Sequence, residues 1–215
     1  MKTCIFDLDG TLTDTIAAIA HFGNLALSEC GFSTFETERY KVFVGDGRTK
    51  LIERMLEAQD ALTEENFKAV CTVYDRYYEA DPLYNTHAYE GIKELLEELK
   101  NRGVTMAVCS NKPDNVAQDV IKTVFGDGYF SVVSGVVDGG YTKPDKRYTE
   151  SILKRLFKTA DECIFIGDTN VDILTGKGAG IETIGVLWGF RDRAELESAG
   201  ADHIISKPSE ILDFI

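Results

Sequence analysis

The 215-residue sequence is short of positive charge, with 23 Lys and Arg against 36 Asp and Glu and a net charge of -13. That balance excludes a nucleic-acid backbone and an anionic membrane surface as partners, and leaves small charged substrates open where cations are placed locally. Long apolar runs are missing as well, and none approaches the length that spans a membrane. Only four uncharged residues, Thr3 to Phe6, separate Lys2 from Asp7, too few for the apolar region of a signal peptide. The expectation is a cytoplasmic protein. No Cys-x-x-Cys pair occurs, and the five cysteines at 4, 30, 71, 109 and 163 lie in apolar segments, so they are expected to be reduced core residues. Histidine is scarce, and His21, His87 and His203 lie outside every motif described below, so no catalytic role is assigned to them.

What is present begins with a 44% hydrophobic composition, enough for a packed core in a chain of this length. Lys2 to Thr13 then concentrates the chemistry. Cys4 to Phe6 reads as a buried strand ending in Asp7 and Asp9, with Gly10 permitting a sharp turn. If the extended geometry persists past Phe6, both carboxylates leave the same side of the chain. Two like charges at about 4 Å repel by roughly 4 kcal/mol at an effective dielectric of 20, so a proton or a cation must relieve them. A calcium loop also alternates its ligands, but the later Asp and Glu ligands are missing here, and an apolar helix follows instead.

That helix is expected from about Thr15 to Gly31, followed by helices near Thr37 to Val44, from Arg48 to Glu57, and across a Tyr-rich stripe through Tyr74, Tyr77 and Tyr78 that forms a packing face. Asp81-Pro82 ends this pattern. Beyond it, helices at Tyr89 to Arg102, 113 to 125 and Lys146 to Phe157 alternate with strands at Val104 to Cys109, Tyr129 to Ser134, Glu162 to Ile166, Thr183 to Val186 and His203 to Ile205. Alternation of this kind predicts an α/β fold, a Rossmann-like parallel sheet with helices on both faces. The expected organisation is an α/β core of residues 1–14 and 83–215 with an all-helical insert of residues 15–82.

Ligands of such sheets gather outside the carboxyl ends of the strands. The chemistry-bearing residues fall there: Asp7 and Asp9, Ser110-Asn111 after the second core strand, and Gly167-Asp168-Thr169-Asn170-Val171-Asp172 after the Ile-Phe-Ile run. Four carboxylates, Asp7, Asp9, Asp168 and Asp172, are expected in one pocket, and without a nearby His or Cys they suit Mg2+ better than zinc. Lys143 precedes Pro144 in a loop and on its own reads as a solvated cation.

The order Asp-Leu-Asp-Gly-Thr-Leu, Ser110, Lys143-Pro144 and Gly-Asp-x-x-x-Asp resembles the haloacid dehalogenase-like hydrolase superfamily, most of whose members are phosphatases. The resemblance implies that Asp7 attacks phosphorus to form an aspartyl-phosphate, and that Asp9 is the acid and then the base. It further implies Mg2+ held by Asp7, the Asp9 carbonyl and Asp168 with support from Asp172, and Ser110, Asn111 and Lys143, with a further contact from Thr11, around the phosphoryl oxygens. The second acid, Asp9, resembles the phosphate-ester branch, since the dehalogenases lack it. The helical insert resembles the small cap of the family. Its Val44-Gly45-Asp46-Gly47-Arg48 loop offers Arg48 to a substrate carboxylate, or else only a turn between helices. That loop and Gly185 to Phe190 are similar to the phosphoglycolate phosphatase branch, although Asp46 is unwelcoming to an anion.

The expectation is therefore a Mg2+-dependent phosphatase acting on a small-molecule phosphate ester, phosphoglycolate or a similar metabolite, as a monomer or homodimer. Alternatives are a phosphosugar mutase of the beta-phosphoglucomutase kind, a pyrophosphatase-like member and, from another class, a phospho-accepting receiver domain. The receiver needs neither Asp9 as a proton donor nor a helical insert.

Overall fold

Thr3–Phe6 forms strand β1, buried at every position, in the computed structural model of the protein, which describes residues 2–215. The chain continues through β2 (Thr13–Asp14) and four helices, α1 (Ile16–Glu29), α2 (Thr37–Tyr40), α3 (Arg48–Glu57) and α4 (Glu64–Ala80). It returns at β3 (His87–Ala88), which pairs antiparallel with β2. Next come α5 (Ile92–Asn101), β4 (Met106–Pro113), α6 (Asp114–Phe125), β5 (Val132–Val136) and α7 (Lys146–Leu156). The chain ends through β6 (Cys163–Gly167), α8 (Asn170–Gly178), β7 (Glu182–Val186), α9 (Arg193–Ser198) and β8 (His203–Ile205).

Six strands form one parallel sheet in the order β5-β4-β1-β6-β7-β8. β1 lies between β4 and β6, with Cys4 opposite both Met106 and Ile164. From β1 the chain builds outward through β4 and β5, then crosses back to β6 and builds the other way. The order therefore reverses beside β1, where an open α/β sheet leaves a crevice at its carboxyl ends. Strands covered on both faces read as continuous apolar runs, which is why they were visible in sequence. One cluster beneath them packs Ile5, Ala107, Val132, Ile152 and Phe165.

Two compact units result: the N-terminal residues through Asp14 with His87–Ile215, and Thr15–Thr86. The return to the sheet unit thus falls at His87, four residues after the expected position, and Tyr84 belongs with the helices, its ring stacked on His21 at 4.4 Å. Inside the helical unit α1 packs on α4, with Phe22 edge-on to Tyr78 and Tyr78 stacked on a buried Tyr74. Tyr40 is fully buried and its hydroxyl donates to Asn24 Oδ1 at 2.9 Å.

Some boundaries differ from the sequence reading. β4 starts at Met106 and runs on to Pro113 through a register shift after Cys109, so α6 begins at Asp114 with Pro113 as its cap. The β2–β3 pair was not anticipated, since two-residue strands carry no periodicity. All five cysteines are free thiols, four of them buried and Cys30 half-buried. Among the described residues no helix is long and apolar enough to cross a membrane.

Candidate active site

The carboxyl ends of β1 and β6 bring Asp7, Asp168 and Asp172 together, all buried, each with a carboxylate oxygen within 4.8 Å of the others. Lys143 enters from the loop before α7 and places Nζ 2.6 Å from Asp7 Oδ1 and 2.7 Å from Asp172 Oδ1. Three acids against one cation leave an excess of negative charge in a dry place. Burial, then the neighbouring Asp172 charge, pushes the Asp7 carboxyl well above its usual range despite Lys143. The same two causes push Asp168 up to about 7. Burial opposes the charge on Lys143, but Asp172 and Asp7 outweigh it and hold the ammonium well above its ordinary value. An all-oxygen set of buried carboxylates with surplus negative charge fits a hard divalent cation of the Mg2+ kind.

Each acid is held by local chain geometry. Asp168 Oδ1 accepts from the Thr11 hydroxyl at 3.0 Å and Oδ2 from the Phe190 N–H at 2.8 Å. A Cβ on Gly10, whose φ is +93°, or on Gly189 would overlap the Asp168 carboxylate. Trp188 Nε1 donates to the Thr11 carbonyl at 2.9 Å, so the Trp188-Gly189-Phe190 segment braces the turn after β1. Asp172 closes a capping box at the start of α8, where its Oδ2 accepts from Thr169 N at 3.0 Å and Thr169 Oγ1 at 2.7 Å. With its Oδ1 on Lys143, Asp172 is engaged at both oxygens.

Two expectations need correction. The carboxylate cluster among the described residues has three members, and the side chain of Asp9 is not one of them. Strand geometry does not persist past Phe6: the Leu8 carbonyl accepts from the N–H groups of Leu12 at 3.0 Å and Thr13 at 2.9 Å, and this coil turns Asp9 away. The Asp9 carboxylate instead meets Lys112 Nζ, at 3.0 Å from Oδ1 and 3.1 Å from Oδ2. Thr11, expected to contact the phosphoryl group, is fully buried with its hydroxyl on Asp168.

Ser110 is buried in β4 just past the register shift, and its Oγ accepts from Lys112 N at 3.1 Å. The Asn111 side chain brackets the Lys143 backbone, Oδ1 accepting from Lys143 N at 2.8 Å and Nδ2 donating to its carbonyl at 3.2 Å. Tyr148 Oη lies 2.9 Å from the Ser110 carbonyl and 2.8 Å from that of Ser134. Sequence reasoning missed Lys112 and Tyr148. Lys112 follows the Ser-Asn pair directly and carried a signal only if the strand was extended to Pro113, while Tyr148 looked like an ordinary apolar position of α7.

In the helical unit, Gly47 precedes α3 with φ +84°, and Arg48 Nε lies 3.3 Å from Asp75 Oδ1, with the arginine side chain 41% exposed. Asp46 is matched by Arg54 of α3, 2.5 Å away, and Arg54 also donates to the Phe43 carbonyl. The negative charge that seemed unwelcome is thus locally neutralised.

Comparison with known proteins agrees with this geometry. The model of the haloacid dehalogenase-like hydrolase family matches residues 4–186. A phosphoglycolate phosphatase of Aquifex aeolicus (strain VF5) is 31% identical over 212 residues, 99% of this chain and 95% of that protein. One of Vibrio parahaemolyticus is 28% identical over 219 residues, 100% of this chain and 96% of the relative. A solved structure from Lactobacillus delbrueckii superposes with a TM-score of 0.95 at 30% identity, covering 100% of this chain and 99% of its own. Another from Streptococcus pneumoniae, a haloacid dehalogenase-like family hydrolase, gives 0.88 at 25% identity, covering 100% and 98%. With its family model spanning most of the sheet unit and the acids and lysine converging at one crevice, this chain belongs to the haloacid dehalogenase-like hydrolases.

Proposed function

We propose that this protein is a Mg2+-dependent phosphatase that hydrolyses a small phosphate monoester through an aspartyl-phosphate on Asp7, with phosphoglycolate or a similar small phosphometabolite as substrate. The observation that carries the reading is the buried Asp7–Lys143–Asp172 ion-pair chain beside Asp168 at the carboxyl end of the central strand. Curated relatives named phosphoglycolate phosphatase over nearly their whole length support the substrate.

Asp7 and Asp168, with the Asp9 carbonyl, would hold Mg2+, and Asp172 would orient the set through Lys143. When bound, the cation supplies charge neutralisation for the phosphoryl oxygens. Asp7 attacks phosphorus as the ester P–O bond breaks, and Asp9 gives its proton to the departing oxygen. Asp9 then takes a proton from the water that cleaves the Asp7–phosphoryl bond, which returns both acids to their starting forms. Ser110, the Asn111 N–H and Lys143 bind the phosphoryl oxygens, where charge sits in a loose transition state. In the helical unit Arg48, whose Nε lies 3.3 Å from Asp75, is the candidate to meet a substrate carboxylate.

The test is phosphate release from a panel of small phosphate esters with Mg2+ or EDTA. Wild type releases phosphate only with Mg2+, and Asp7→Asn abolishes release. Arg48→Ala loses activity selectively, about tenfold or more, on carboxylated esters. Folded wild-type protein that releases phosphate from no ester overturns the reading.

A further inference from the structure

Among the described residues two lysines are buried, Lys143 and Lys112, at 4% and 8% exposure, and both end on acids beside the same strand end. Lys143 is absorbed by the reading above and Lys112 is not. Its Nζ straddles the Asp9 carboxylate, at 3.0 Å from one oxygen and 3.1 Å from the other. Its own backbone is pinned, since Lys112 N–H donates to Ser110 Oγ at 3.1 Å in the last residues of β4. Within the pair the acid is the partner that opens outward: the Asp9 side chain is 20% exposed and that of Lys112 6%. A buried ion pair is weak evidence for stability, because the cost of drying the charges offsets their attraction. What such a pair does provide is direction, since an ammonium held on both oxygens leaves the carboxylate little freedom to rotate.

We infer that Lys112 is the positioning residue of the proton-transfer step, aiming the Asp9 carboxyl at the leaving oxygen without itself touching substrate. The inference rests on the phosphatase reading. In the first step the ester P–O bond breaks with its electron pair on the leaving oxygen while the Asp7–phosphorus bond forms, and an alkoxide needs the Asp9 proton at that moment. A p-nitrophenolate departs without it. Lys112 therefore matters in proportion to how poor the leaving group is, a signature that neither a fold-holding lysine nor a phosphoryl-binding one shares.

The experiment measures kcat/KM with Mg2+ for phosphoglycolate, an alkyl ester, and for p-nitrophenyl phosphate, in wild type, Lys112→Met, Lys112→Gln and Lys112→Arg, with circular dichroism melts of each. Because kcat/KM ends at leaving-group departure, hydrolysis of the intermediate does not enter. The expected result is a loss of about tenfold or more on the alkyl ester in the Met and Gln variants, within the range that general acid catalysis supplies. Less than about threefold is lost on the aryl ester, and Lys112→Arg recovers most of the alkyl activity. Equal losses on both esters would make Lys112 a phosphoryl-binding residue and overturn the inference, as would no loss on either, or loss of folded protein in both the Met and Gln variants. Absence of phosphate release from wild type would instead strike the phosphatase reading itself.

Discussion

Tyr148, 5% exposed, joins β4 to β5 through one hydroxyl, which sits between the carbonyls of Ser110 and Ser134. Tyr148→Phe keeps the ring and removes the donor, so a buried hydrogen bond to these carbonyls is lost. The expected cost is about 2 kcal/mol, which lowers Tm by roughly 4–8 °C for a chain of this size. An unchanged Tm would show that the hydroxyl is dispensable. Residue by residue, the buried acids were legible where one followed a strand, as with Asp7 and Asp168, whereas Lys143 read on its own as a solvated loop cation and is in fact buried between Asp7 and Asp172. Tyr148 was illegible because nothing in a helical pattern tells that a ring on its buried face carries a hydrogen bond to a strand 38 residues away.

Helix α7 ends on Phe157 in the left-handed region, φ +55° and ψ +45°, with its ring 94% exposed. The Lys158 N–H reaches back to the Leu153 carbonyl at 3.0 Å, as in a Schellman closure, whose left-handed position is usually glycine. Phe157→Gly removes the Cβ strain and little packing, so a gain of about 1 kcal/mol is expected in a denaturant melt. A loss would mean that the ring contributes packing. Between β7 and β8, Asp202 accepts from the Thr183 N–H at 2.9 Å and the Thr183 hydroxyl at 2.8 Å and meets Lys177 at 2.6 Å. Burial raises its carboxyl, but these partners outweigh burial and bring it from 3.8 down to about 2. A depressed folded value means that the stabilisation is present above about 4 and is lost as pH falls toward 2. The Tm advantage of wild type over Asp202→Asn is therefore expected to shrink across that window, and a difference independent of pH would contradict it. Helices and core strands were readable at this scale because their apolar periods are long. The short β2–β3 pair and the extension of β4 past Cys109 were not, because each depends on a partner strand distant in sequence.

For the molecule as a whole, the charge imbalance that matters most is local, the buried trio of acids facing one lysine, Lys143. A cation that neutralises them binds the folded chain and not the unfolded one. At a hundredfold excess over its dissociation constant Mg2+ is expected to stabilise by about 2.7 kcal/mol, which raises Tm by roughly 5–10 °C, with EDTA reversing the shift. Asp168→Asn removes one donor and one negative charge, so the Mg2+ response is expected to fall by more than half. A shift equal to that of wild type would place the cation elsewhere.

The sequence by itself determined the parallel α/β core and the helical character of residues 15–82, and placed Asp7 and Asp168 after core strands, because apolar period and strand-end position are local properties that survive without a partner. Only the tertiary structure decided that Asp9 turns to Lys112 and not into the trio, that Thr11 spends its hydroxyl on Asp168, and that Arg54 neutralises Asp46. Each of these pairings depends on where a charge finds its counter-charge once water is excluded, and that is set by the coil after β1 and by loops distant in sequence, not by spacing along the chain.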